Sequence, residues 1–445
     1  MKNRLLFIVM VLLTLTCCKK FLDKKTNNSI AVPEKLEDLQ ALLDDQEVMN
    51  KGVSPSLSEC FGDDYFHTET SFNNLAPEYK LIYTWQKFPS KFPNDWSVCY
   101  KIVYNANLCL DLLGKIERTQ EKAAAWDNIR GQALFARAYA FLNLLWAYCK
   151  GYDISTAQKD NGIVLRTSSD FNTIFNRSSL ADSYNKIIAD TKEALKYLPD
   201  LALLPTRGSR AAANGLLGRA YLSMRLYDSS FKYSNAGLHI YDSLMDYNKP
   251  EDGININANS TFGANRFTRE VVFYTEINLL RNIHTKGLVD TALYSSYNVS
   301  DLRRTAFFLP YQQFHRFKGG YARNFRLFSG IATDELFLIR AESAARIGKI
   351  EDAMADLNHL LQKRWNNKVA FAPLIATTRE DALALVLEHR RKELLFRGLR
   401  WSDIKRLNKE GKNIVLKRVV GVNTYILEPD SDGYQVALPD DLDIK

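Results

Sequence analysis

Two stretches of this chain carry the same pattern of small and large residues at helical spacing. The first is Leu217-Gly218-Arg219-Ala220-Tyr221, followed by Tyr227, Ser230 and Leu238. The second runs through Ala341, Ala344, Gly348, Ile350, Ala353 and Leu361. Small residues let two antiparallel helices approach closely, and large ones fill the groove between neighbouring pairs. A chain built this way is constrained to stack helical hairpins, and the pattern predicts hairpins over 214–238 and 335–362.

The spacing is that of tetratricopeptide repeats. Helical periodicity extends beyond them, with Ile102, Leu108, Leu112 and Ile116 on one stripe and Leu134, Ala138, Phe141, Leu142 and Leu145 on the next. Leu36, Leu39, Leu42 and Leu43 mark a first helix, and another runs from about Ser179 to Pro199. Thr377 and Glu380 form a capping-box pattern before a last helical pair, interrupted at Gly398. The fold class is mostly α, with helical repeats at about 95–240 and 331–407 and more than half of the ordered residues helical. Between the repeats, at about 245–330, Gly, Asn, Tyr and Arg replace the periodicity, and 50–95 has the same character. Long irregular insertions in a helical scaffold commonly carry function.

The N-terminus is an export signal by pattern. Lys2 and Arg4 precede an apolar run, Leu5 to Leu15, too short to span a bilayer. It ends in Leu15-Thr16-Cys17-Cys18, so residues 1–17 are expected as a lipoprotein signal peptide, with Cys18 fitting the lipid site better than Cys17 because Leu15 then stands three residues upstream. Several acyl chains on one cysteine give stable anchoring. Cys60, Cys99, Cys109 and Cys149 are expected as buried small hydrophobes. The formal charge of +8 is dispersed among 51 acidic residues, and no Lys/Arg block is interleaved with aromatics, so nucleic acid is not an expected partner.

No catalytic or metal-binding constellation emerges. His-Glu-x-x-His, Gly-x-Ser-x-Gly and phosphate-loop patterns are all missing from the sequence. Asp63 and Asp64 are a carboxylate pair, but sugar hydrolysis needs two carboxylates facing each other across the ring. The Arg-rich stretch 388–406 interleaves Glu388, Glu393 and Asp403, which favours internal ion pairing over an anion site. The chain is therefore expected to bind a ligand without catalysis, metal or cofactor. A lipid-anchored glycoside hydrolase and a repeat scaffold for peptides or proteins are the alternatives.

Sugar recognition sets the apolar face of a sugar on an aromatic ring while polar side chains satisfy the hydroxyls. The two irregular stretches carry Tyr79 and Trp85, and Tyr311, Tyr321, Arg323 and Asn324. These six are the candidate ligand residues, placed between 70–95 and 295–325. Trp96 opens an apolar helix and reads as core.

Ordered motifs along nearly the whole chain resemble the SusD/RagB family of outer-membrane nutrient-binding lipoproteins. They are Cys18-Lys19-Lys20-Phe21-Leu22-Asp23; Trp96, Tyr100, Ile102 and Asn105-Ala106-Asn107; Gly131-Gln132-Ala133-Leu134-Phe135-Ala136-Arg137-Ala138; Asp301-Leu302-Arg303-Arg304; Gly330 to Leu336; Ile339-Arg340-Ala341-Glu342; and Arg390 to Arg406. The resemblance implies one SusD-like domain over 18–445, lipid-anchored at the outer membrane and exposed at the cell surface. It implies an oligosaccharide or peptide ligand and a TonB-dependent transporter of the SusC type as partner. Arg397 stands where the family usually has Glu, and His389 where an acid is common.

Overall fold

The computed structural model describes residues 33–262, 267–279, 286–322, 326–440 and 442. The proposed signal peptide and Cys18 lie outside the described residues, as do Arg323 and Asn324. The helices of nine or more residues are α1 (Leu36–Asp44), α2 (Asp95–Leu113), α3 (Ala123–Tyr148), α4 (Leu180–Ala194), α5 (Arg210–Ser223), α6 (Tyr227–Ile240), α7 (Thr333–Arg346), α8 (Ile350–Arg364), α9 (Arg379–Glu393) and α10 (Arg400–Asn408). Among the described residues no helix is long and apolar enough to cross a membrane.

Both repeat copies are antiparallel helical hairpins, α5–α6 and α7–α8, as their spacing predicts. Each reverses at a residue with positive φ, Arg225 (63°) and Gly348 (83°). The small residues set the helix distances. A Cβ built on Gly218 would sit 3.6 Å from Ser234 Cβ, and one on Gly215 only 2.8 Å from Ile331 Cγ2. Arg219 stitches the copies together: its Nε donates to Glu335 Oε1 at 2.6 Å, with both side chains buried. Helices α2, α3 and α4 pack in sequence before the first copy and extend the stack.

The last helical pair is capped one residue later than the sequence suggests. Thr378 Oγ1 accepts from Asp381 N at 3.1 Å. Gly398, at φ 71°, separates α9 from α10.

Among the described residues ten short strands form five antiparallel pairs: β1 (Tyr65–Phe66) with β5 (Leu288–Val289), β2 (Asn161–Val164) with β3 (Arg177–Ser179), β4 (Val271–Phe273) with β8 (Ile331–Ala332), β6 (Phe308–Tyr311) with β7 (Phe314–Phe317), and β9 (Leu416–Val420) with β10 (Asn423–Leu427). The fold is mostly helical. Helices nevertheless hold somewhat less than half of the described residues, because 50–95 and the insertion are largely loops and short turns. The four cysteines Cys60, Cys99, Cys109 and Cys149 are buried and unpaired with one another.

Candidate functional site

A groove of about 700 Å³ opens along one edge of α2, within the usual range for a small-molecule site. Asn94 caps the helix, its side chain accepting from Ser97 N at 2.9 Å. Every fourth residue from there is aromatic: Trp96, Tyr100 and Tyr104, which line the groove. A four-residue step keeps side chains on one helix edge. The Trp96 and Tyr100 rings lie 4.9 Å apart, and the Tyr104 ring stacks on Phe171 at 4.9 Å.

Phe171 belongs to the loop between β2 and β3, which turns back over α2 and forms the second wall. Asn107 pins that loop, its Nδ2 donating to Arg166 O at 3.0 Å and Ser168 O at 3.3 Å. Asn107 is itself held by Arg137 Nη1 at 2.8 Å, and Arg137 grips Asp190 with two further hydrogen bonds. Asp111 Oδ2 accepts from Ser169 N at 2.8 Å and from its hydroxyl at 2.7 Å. The loop is thus tied to the scaffold while presenting Phe171 (75 % exposed) and Ile174 (88 %) to solvent. Phe92 stands exposed on the opposite margin. Exposed rings above ordered amides suit the apolar face of a sugar and its hydroxyls. Burial pushes the Tyr100 hydroxyl well above its ordinary pKa, and Tyr100 donates to Val164 O as a neutral phenol.

The four described residues among those expected from sequence to bind ligand sit elsewhere. The two irregular stretches do meet: β1 pairs with β5, and the Phe66 ring contacts Phe314 at 5.3 Å. Tyr321 corrects the expectation of a shared aromatic surface, because it is 1 % exposed. Its hydroxyl is committed to Glu270 and to Asp334 Oδ2, and its ring lies among Phe262, Phe328 and Arg397. Tyr79 is half-buried in the short helix Pro77–Tyr83 and packs against the core. Trp85 is half-buried as well. Its Nε1 donates to Phe61 O at 3.2 Å, and Arg418 covers its face at 4.5 Å. It borders a separate cavity of about 280 Å³ against residues 432–437. Tyr311 ends β6 with the Arg316 guanidinium 3.5 Å above its ring. None of these four lines the groove on α2.

The carboxylates that suggested chemistry are held in ion pairs. Asp63 accepts two hydrogen bonds from Arg400, at 2.7 and 3.0 Å, and Arg391 donates to Asp64 at 2.9 Å. Burial alone would raise Asp63, but Arg400 and Arg391 prevail and hold it well below the carboxylate range. Glu270, Asp334 and Glu393 bring carboxylate oxygens within 4.8 Å of one another, the spacing of a metal site. Arginines already occupy that space. Arg364 bridges Glu270 and Glu393 at 2.8 Å each, Arg303 reaches Glu393 at 2.8 Å, and Arg397 grips Asp334 at 2.6 Å. The charge-rich stretch 388–406 pairs internally in the same way, with Asp403 accepting from Arg390 and Arg406 at 2.9 Å each. His389 Nδ1 accepts from Arg303 Nη2 at 3.1 Å; burial and then Arg303 push its pKa down to about 2, so it is neutral.

The aromatic step from Trp96 to Tyr104 was visible in the sequence as a signal for the groove. Trp96 itself is core, as its place at the head of an apolar helix implies. That the loop carrying Phe171 folds over this edge was not visible.

Comparison with known proteins covers both walls. A family model described as "Starch-binding associating with outer membrane" matches residues 20–222. A SusD-like protein, P2, of Formosa agariphila is 22% identical, over 70% of this chain and 71% of its own length. The solved structure of a SusD superfamily protein from Bacteroides fragilis superposes with TM-score 0.72 at 20% identity, covering 92% of this chain and 97% of that one. A SusD-like carbohydrate binding protein from Bacteroides vulgatus gives TM-score 0.66 at 19% identity, covering 92% and 96%. The chain thus has a SusD-like fold along nine-tenths of its length, and the helix and loop that build the groove lie in the part that is similar to the family model.

Proposed function

We propose that this protein captures an oligosaccharide in the groove on α2 and delivers it to a TonB-dependent outer-membrane transporter of the SusC type. The observation that carries the reading is a groove of about 700 Å³ lined by Trp96, Tyr100 and Tyr104 on α2 and by Phe171, which stacks on Tyr104. Rings that stack on sugar faces contribute on the order of 1 kcal/mol each beyond the area they bury. The amide of Asn105 lies in the same groove and suits hydroxyl groups. Support also comes from relatives: the family is described as starch-binding, and one solved homologue as carbohydrate binding.

The protein is held at the outer membrane by lipid on Cys18. Support for this is the apolar Leu5–Leu15 run ending at two cysteines, together with the family's association with that membrane.

Titration calorimetry against a glycan panel tests the binding step, with Tyr104→Ala as the control that removes one stacking face. Saturable binding that this variant weakens about tenfold is the expected result. Binding that persists undiminished in Tyr104→Ala removes the groove from the proposal. Cys18→Ser is expected to shift the protein from the outer-membrane fraction to the soluble one, and to abolish recovery of a β-barrel protein in detergent pull-downs. An unchanged membrane fraction defeats the anchor.

A further inference from the structure

We infer that the ligand of this groove is an acidic saccharide, one bearing carboxylate or sulfate groups, in preference to a neutral one. The inference rests on the oligosaccharide reading and narrows it. Among the described residues two charged side chains line the groove, Lys101 and Arg166, and both are cations; no described Asp or Glu joins them. Neither cation forms an ion pair among the described residues. Lys101 is exposed on α2, next to Tyr100 in the aromatic edge.

Arg166 is oriented from behind. Its Nη2 donates to Asp170 O at 3.0 Å, and its guanidinium lies 5.1 Å over the Phe175 ring. These contacts steady the planar fork without neutralising it, which leaves donors for an oxyanion.

The two nearby acids are spent on the loop. Asp111 accepts from Ser169, as described above. Asp170 accepts from Asn172 N at 2.9 Å and from Thr173 Oγ1 at 3.1 Å, and these hydrogen bonds hold its carboxyl below the ordinary range. Both remain anions, and the exposed Asp170 feels the Arg166 charge, which offsets part of that cation's pull, but neither carboxylate lines the groove that Lys101 and Arg166 border. Stacking on Tyr100 and Tyr104 is indifferent to ligand charge, so the selectivity would come from Lys101 and Arg166 alone. Their attraction is partly solvent-exposed and so weakens with salt.

The test is calorimetry of the mature chain with two matched pairs of oligomers. One pair is a galacturonan oligomer and its methyl ester; the other is a sulfated galactan oligomer and its desulfated form. The charged member of at least one pair should bind about tenfold more tightly at low salt. Raising NaCl from about 0.02 to about 0.5 M should shrink that preference. Lys101→Met and Arg166→Met should each narrow the charged-to-neutral ratio by about three- to tenfold. Thermal melting checks that both variants fold, and Lys101→Met changes only an exposed side chain. Which pair responds separates carboxylate from sulfate. Equal binding of charged and neutral members overturns this inference and leaves the oligosaccharide reading standing. No binding by any of the four oligomers overturns this inference as well, and the glycan panel then decides the oligosaccharide reading.

Discussion

The ring of Phe171 stacks on that of Tyr104 at 4.9 Å with the planes 24° apart, so an exposed phenyl on a loop is held by the helix it faces. Phe171 also has little to lose on unfolding, since three-quarters of it is already in solvent.

Phe171→Ala should therefore change stability by no more than about 0.5 kcal/mol, as for other surface positions. Glycan affinity should fall about tenfold. Paired thermal melts and calorimetry read both quantities. An unaltered affinity would place the ligand elsewhere on the protein.

Trp85 should behave in the opposite way. It anchors to Phe61 O and is covered by Arg418. Trp85→Ala is expected to cost about 2 kcal/mol, less than a fully buried ring, with glycan affinity unchanged. Denaturant titration measures the loss. Weakened glycan binding in a variant of normal stability would restore Trp85 as a ligand residue.

Arg397, at the position where the family resemblance leads one to expect Glu, makes two hydrogen bonds to the fully buried Asp334, at 3.0 and 2.6 Å. Asp334 stays below its ordinary pKa: burial would raise it, but the Arg397 charge prevails. Arg397→Met strands that carboxylate and should destabilise the fold by about 3–5 kcal/mol. Adding Asp334→Asn should recover part of the loss. A double-mutant cycle with no coupling would mean the pair contributes nothing specific.

Glu59 governs behaviour in mild alkali. Burial, and then the charge of Asp64, push its pKa from 4.5 up to about 8. The folded state thus holds a proton that the unfolded chain releases near 4.5. The stability tied to that proton is complete below about pH 4.5 and is lost as pH rises toward 8. Glu59→Gln mimics the protonated form and should be the more stable protein at pH 8–9, by on the order of 3 kcal/mol, with the advantage vanishing near pH 4.5. Urea melts of both proteins across this range provide the check. Parallel pH profiles would show that Glu59 is ionised at neutral pH in the folded protein.

Local sequence determined the helical scaffold. Gly215, Gly218, Ala341 and Ala344 recur at positions where neighbouring helices must approach closely, and that requirement is legible in one dimension because helical spacing itself assigns residues to faces. The ion pairing of Arg390 and Arg406 with Asp403 followed from the same periodicity. The groove did not. Its floor, Trp96, Tyr100 and Tyr104, was present as a regular step, but its second wall comes from a loop some sixty residues onward, attached through Asn107 and Asp111. Tyr321 went the other way. Its irregular, polar surroundings suggested a surface, whereas Glu270 and Asp334 draw its hydroxyl inward and Phe262 and Phe328 enclose its ring. Periodicity records which side of a helix is apolar. In a loop, exposure of a ring is decided by partners distant in sequence, and only the tertiary structure brings those together.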